Sequence, residues 1–186
     1  MRAALRLEDE IAQTWNEYAS TKSHVLPGLS VRSLVDLHLS AKSYPKGSEV
    51  IIVPPIGIEG MMDVIQYHGL KIVPVDIGDY TNDPVVHVDV EKVKQKMNKK
   101  TVAVLVVHPF GLICMNESEM KALRNAVDDH STTKSIEIWE DCAECFGGKH
   151  GYMGSEYANV HFFSFGMIKT ATALGGGICV LNDQVD

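Results

Sequence analysis

The sequence predicts an α/β fold: a mostly parallel, seven-stranded sheet with helices on both faces. Three observations carry that expectation. Short β-branched runs alternate with longer segments whose apolar residues recur at helical spacing, which is the pattern of βαβ crossovers. The run Val102–Val107 is continuously apolar, as a parallel strand buried on both faces must be. Glycine and proline fall between these runs, at Lys46-Gly47, Pro54-Pro55 and Gly69, where they stop one element before the next begins.

The elements follow in order. Leu5–Ala19 carries Leu5, Leu7, Ile11, Trp15 and Tyr18 on one helical face. His24–Leu29 reads as the first strand. Ser30–Lys42 reads as a helix with Leu34, Leu37 and Ala41 on one side. Glu49–Val53 is a buried strand stopped by the prolines that follow. Gly60–Gly69 is a helix with Gly69 as its C-terminal cap. Lys71–Ile77 is a strand whose inner Pro74 marks an edge or a bulge. Asp89–Met97 is a short helix, and Thr101–Val107 is a strand ending at His108-Pro109. Met115–Asp129 is helical. Ser135–Glu140, Val160–Phe165 and Gly177–Leu181 complete the seven strands.

The bulk numbers exclude several classes. A chain of 186 residues suggests one domain with a sizeable core. Net charge is 17 − 24 = −7, which argues against a nucleic-acid surface, because phosphate binding needs a clustered positive face. Lys92, Lys94, Lys96, Lys99 and Lys100 read as the solvated side of a helix and its following turn. Met1–Glu10 has no apolar core of a secretory signal, and no apolar run is long enough to span a bilayer. A cytoplasmic setting with reduced thiols is expected. Cys142 and Cys145 form a C-x-x-C. A redox pair usually opens a helix in a different βα context, and zinc needs two more ligands that the nearby sequence does not offer. Buried apolar thiols are the simpler reading, and no metal is expected.

Ligands of such sheets sit beyond the carboxyl ends of the strands. Asp141, His108 and the segment Ser164–Lys169 all follow predicted strand ends, so they can converge on one cleft. Lys169 lies in an otherwise uncharged stretch, Gly166–Gly175. A nucleophilic lysine must spend time neutral, and apolar surroundings favour that. On the residues alone, a lysine snorkelling from a loop is the simpler reading. Asp141 is either a turn acid or the buried partner of a cation. Glu140 points to the other face of its strand. The turn Ser30–Ser33 opens a helix and offers backbone N–H groups, two hydroxyls and Arg32 to an anion. A plain N-cap at Ser30 and a solvent-facing Arg32 remain equally open. His108 reads as a satisfied structural histidine more readily than as a catalyst. An acid, a hydroxyl and a lysine are what pyridoxal phosphate (PLP) needs: a pyridinium partner, a phosphate donor and an amine.

Several segments carry a family resemblance. They are Leu7-Glu-Asp-Glu-Ile-Ala12, Gly47-Ser-Glu-Val-Ile-Ile-Val-Pro54, His68-Gly-Leu-Lys-Ile-Val-Pro-Val-Asp76, His108-Pro-Phe-Gly111, Glu140-Asp-Cys-Ala143 and Ile168-Lys-Thr-Ala-Thr-Ala-Leu-Gly-Gly-Gly177. In order and spacing this set resembles the DegT/DnrJ/EryC1/StrS sugar aminotransferases, PLP enzymes of fold type I. The resemblance implies Lys169 as the Schiff-base lysine and Asp141 as the pyridine partner. It implies Ala143 against the ring, Ser164 on the phosphate, and Ile58 where many members place an aromatic ring. An amino-acid donor such as glutamate, a keto-sugar acceptor (nucleotide-linked) and a homodimer are the implied partners.

The chain departs from the family pattern at four points. Ser30-Val-Arg-Ser33 stands where members read Ser-Gly-Thr-Ala, and Val31 disfavours the positive φ that glycine allows. Glu144 stands where members carry Gln or His toward the cofactor's phenolic oxygen, and a carboxylate there is repulsive unless protonated. Members begin earlier and continue past Asp186. The expectation is therefore a large domain, residues 1–186, without the C-terminal small domain. The rival expectation is a truncated paralogue that folds and self-associates without turnover.

Overall fold

The computed structural model describes residues 2–19, 23–77, 87–130, 135–148 and 151–182. Its seven strands are β1 (His24–Gly28), β2 (Glu49–Val53), β3 (Lys71–Pro74), β4 (Thr101–Val107), β5 (Glu137–Asp141), β6 (Val160–Ser164) and β7 (Gly177–Leu181). Its α-helices are α1 (Arg2–Ala19), α2 (Val31–Lys42), α3 (Glu59–Tyr67), α4 (Val90–Lys96) and α5 (Glu117–His130). The strands form one sheet in the order β1-β7-β6-β5-β4-β2-β3. The ladders β6-β5-β4-β2-β3 are parallel, and β7 is antiparallel to both β6 and β1. The predicted α/β class and seven strands are observed. Leu5's side chain lies outside the described set.

Several boundaries shifted by one to three residues, and two of the shifts have a clear cause. The fifth strand extends through Asp141, because that residue still pairs with Val107 on one side and Phe162 on the other. The third strand ends at Pro74 on the sheet edge, where a missing N–H costs no ladder bond.

The core explains why β4 reads as one apolar run. Ala103, Leu105 and Val107 pack with α2 and α3, through Leu34, Leu39, Met61 and Ile65. Val104 and Val106 pack on the opposite face with Val93, Met120, Leu123 and Val127 of α4 and α5. Alternate residues thus serve different helical layers, and both layers demand apolar side chains. Trp15 of α1 seals a third cluster with Val25, Phe146, Phe163, Ile178 and Val180. Each such fully buried side chain contributes about 1.5–3 kcal/mol relative to exposure.

Helix α2 starts where it does because Ser30 caps it. The Ser30 hydroxyl accepts from Ser33 N at 3.2 Å, and the Ser33 hydroxyl accepts from Ser30 N at 3.0 Å. Helix α3 stops at Gly69, whose φ of 77° suits glycine alone.

Candidate active site

The site lies at the carboxyl ends of β5 and β6. Asp141 ends β5 with its side chain on the α2 face of the sheet, the same face as Trp139. It is buried, and its Oδ1 accepts from Ala143 N at 3.0 Å. Burial pushes its carboxyl above the ordinary aspartate value, against the pull of that N–H and of Lys169. An acid held in this way has a strong claim on a cationic partner.

Ser164 ends β6 on the same face, two residues after Phe162. It stands opposite Gly177, which in turn stands opposite Gly28 of β1. A Cβ on Gly177 would lie 2.9 Å from the Phe163 carbonyl oxygen and 3.1 Å from Val31 N. Glycine is therefore required for the first turn of α2 to approach this end of β7. Gly176, just before β7, has a φ of 86°.

Lys169 follows on the loop after β6, its N–H bonded to the Gly166 carbonyl at 3.0 Å. Its Nζ lies 3.4 Å from Glu144 Oε1, and only 13% of its side chain is exposed. Glu144 Oε2 accepts from Phe110 N at 2.7 Å. That N–H, and then Lys169, hold the Glu144 carboxyl below its usual value, with burial opposing them. Glu144 is thus ionised beside Lys169, and the lysine's charge rather than protonation offsets it.

The first turn of α2 resolves one departure from the family pattern. Val31 is the first residue of a right-handed helix after an extended Ser30 (φ −166°), so no positive φ is asked of it. The Ser33 hydroxyl is engaged by the cap, donating to the Ser30 carbonyl at 2.8 Å. The stem of Arg32 packs toward α3: a Cβ on Gly60 would lie 3.1 Å from Arg32 Cδ. Ile58, the residue before α3, is half exposed after the carboxyl end of β2. Ala143 is buried beside Asp141.

The sequence missed a second polar cluster, on the other face of β5. Glu140 is fully buried. It accepts from His108 Nε2 at 2.8 Å, Ser155 N at 2.8 Å and the Tyr152 hydroxyl, and pairs with His161 Nε2 at 3.0 Å. Burial alone would raise this acid, but the bonds from His108 and His161 hold it well below the usual carboxylate range. His108 also accepts from Cys114 N through Nδ1 at 3.2 Å, so its role is structural. His108, Glu140 and Cys142 bring ligand-type atoms within 4.8 Å of one another. Both Glu140 oxygens are already taken by donors, and burial pushes the Cys142 thiol up. This is a hydrogen-bonded set rather than a ligand set. The one signal for it in the sequence was the adjacency of two acids, Glu140 and Asp141, at the end of one strand.

The donors fit PLP. A buried acid with a single backbone donor faces the same side as Ser164 and the first turn of α2, and Lys169 acts on that acid. Comparisons with known proteins agree. Residues 7–185 match the model of the DegT/DnrJ/EryC1/StrS aminotransferase family. The chain belongs to this family. It is 33% identical over 154 residues to a GDP-perosamine synthase of Vibrio cholerae, across 81% of this chain and 38% of that one. It is 30% identical over 184 residues to a GDP-perosamine synthase of Escherichia coli O157:H7, across 96% of this chain and 44% of that one. The chain thus spans less than half the length of these relatives. Among solved structures, a sugar aminotransferase of Micromonospora echinospora superposes with a TM-score of 0.67 at 28% identity, over 86% of this chain and 42% of that one. The PLP form of a putative sugar aminotransferase of Streptococcus pneumoniae gives a TM-score of 0.75 at 23% identity, over 94% and 45%. This family is PLP-dependent. No helix among the described residues is long and apolar enough to cross a membrane.

Proposed function

We propose that this chain is the PLP-binding large domain of a sugar aminotransferase. The observation that carries the reading is the convergence of Asp141, Ser164 and Lys169 at one sheet end, with Asp141 buried and short of donors. PLP, when bound, supplies the electron sink through which an amino group passes from donor to acceptor. Lys169 supplies the amine for the covalent link to the cofactor aldehyde. With the cofactor bound, the same amine would serve as the general base. Asp141 holds the ring nitrogen protonated. Ser164, the free first-turn N–H groups of α2 and Arg32 would hold the phosphate, while the Ser33 hydroxyl, expected there from the sequence, is committed to the cap. Ala143 and Ile58 flank the ring as apolar walls. Glu144, beside Lys169, would face the cofactor's phenolic oxygen.

The donor in this reading is an amino acid such as glutamate, and the acceptor is a keto-sugar carried on a nucleotide. The GDP-linked names of the relatives support that acceptor. A homodimer is proposed through the rim of the site, where Phe110, Met167, Ile168 and Leu174 are largely exposed. Four buried, free cysteines suit a reducing, cytoplasmic setting.

PLP titration followed by borohydride reduction and peptide mass mapping tests the reading. The label is expected on Lys169 and is expected to vanish in Lys169→Ala. Label scattered over surface lysines, or retained in that variant, would leave the rival of a folded chain without turnover.

A further inference from the structure

The sheet face opposite Asp141 and Ser164 carries a cavity that the proposed cofactor chemistry does not use. Phe165, the residue after Ser164, belongs to the cluster on the α1 side, as alternation along the strand requires. There α1 and the segments after β5 and β6 enclose about 500 Å³, within the range of small-molecule sites. Trp15 and Tyr18 line it from α1, Phe146 and Phe165 from the sheet side, and Ala171 from the loop after β6. The Trp15 ring lies 5.5 Å from Phe146 at 34° and 6.3 Å from Phe165 at 80°. Phe146 and Phe165 meet at 5.6 Å and 76°. Rings in two nearly perpendicular orientations make a corner rather than a stack, so the lining is an aromatic recess.

The polar groups of the lining are few and of one sign. Glu10, exposed on α1, is the one charged side chain among the described lining residues. Thr14 donates its hydroxyl to the Glu10 carbonyl at 2.7 Å, so it has no proton left for an anion. The faces of aromatic rings carry negative potential, and an acid at the rim adds to it. An anion is repelled here, a neutral ligand gains nothing from Glu10, and a cation gains from both.

We propose that this cavity binds a small organic cation, an ammonium group carried on an apolar body. The apolar body fills the corner between Trp15, Phe146 and Phe165, and the ammonium lies toward Glu10. Binding needs neither Lys169 nor Asp141, so this site stands or falls apart from the cofactor reading.

The test titrates benzyltrimethylammonium, benzyl alcohol and benzoate, at constant ionic strength, into isotope-labelled protein and follows the two indole N–H signals by NMR. Trp139 is the internal control, because it is buried on the α2 side with its N–H on Glu137 at 2.7 Å. The cation is expected to shift the Trp15 signal saturably and to bind about five-fold more tightly than benzyl alcohol, as one cation–π contact allows. Benzoate is expected to bind most weakly. Glu10→Gln is expected to lower the affinity for the cation about two- to three-fold, as loss of an exposed charge allows, and to leave benzyl alcohol unchanged. Ala171→Leu, which fills the cavity, should weaken both. No saturable shift of Trp15 with the cation overturns the site. Equal affinity for the three probes, or an affinity for the cation indifferent to Glu10→Gln, overturns the choice of ligand. Trp139 shifting in step with Trp15, or undiminished binding in Ala171→Leu, overturns the location.

Discussion

Glu140 and Asp141 are neighbouring acids on one strand, and the pleat sends them to opposite layers of the molecule. Glu140 enters the α5 side and meets four donors. Asp141 enters the α2 side and meets one backbone N–H. Both are buried. The first is held ionised by its neighbours, and the second is pushed toward protonation by burial, against the pull of its neighbours. A buried acid with every lone pair used belongs to the scaffold. A buried acid short of donors is arranged for a ligand.

The sharpest way to break that contrast is Glu140→Ala. Removing the hub strands His108, His161 and Tyr152 in the core. The expected cost is about 3–5 kcal/mol, read as a fall in Tm of about 10 °C or more for a domain of this size. A fall under a few degrees would mean that the cluster is not structural.

Asp141→Asn should do the reverse in two respects. PLP affinity should drop at least about tenfold, equal to about 1.4 kcal/mol, while stability of the cofactor-free protein holds or rises. The pH dependence gives the sign. Asp141 has a folded value above its unfolded one, so the folded state binds the extra proton, and stability falls as pH rises through that window above 3.8. Glu140 is depressed, so its contribution is present above the usual carboxylate value and is lost as pH falls. Denaturant titration of the cofactor-free protein should show the Asp141 slope disappear in Asp141→Asn and persist in wild type. Identical slopes would place Asp141 with Glu140 as scaffold.

The smallest effect sharpens the role of the first turn of α2. Ser30→Ala should cost about 1 kcal/mol through loss of the cap, measured by urea unfolding, with PLP affinity nearly unchanged. A large loss of affinity would move Ser30 from the cap to the phosphate.

The fold was readable because its signals are local. The two-sided burial of β4 wrote itself as one apolar run, and Gly69 stopped α3 where a left-handed residue was needed. The site was readable in part. Asp141 and Ser164 end strands, which periodicity locates, and Lys169 lies on the loop that follows β6. The Glu140 hub was not readable, because its partners come from residues 108, 152, 155 and 161 and no spacing rule links them. Glu144 stood out only as an odd residue for its position; its bond to Phe110 and its contact with Lys169 depend on where two loops meet.

By itself, the sequence determined the order of strands and helices, which face of β5 each acid takes, and which lysine lies in apolar surroundings. These depend on the two-residue and 3.6-residue periods of the backbone. Tertiary structure alone decided that the donors of the Glu140 hub meet, that the first turn of α2 comes against Gly177, and that Glu144 answers Lys169. Those outcomes depend on distances between segments far apart in the chain, and such distances are set only when the layers close around the sheet.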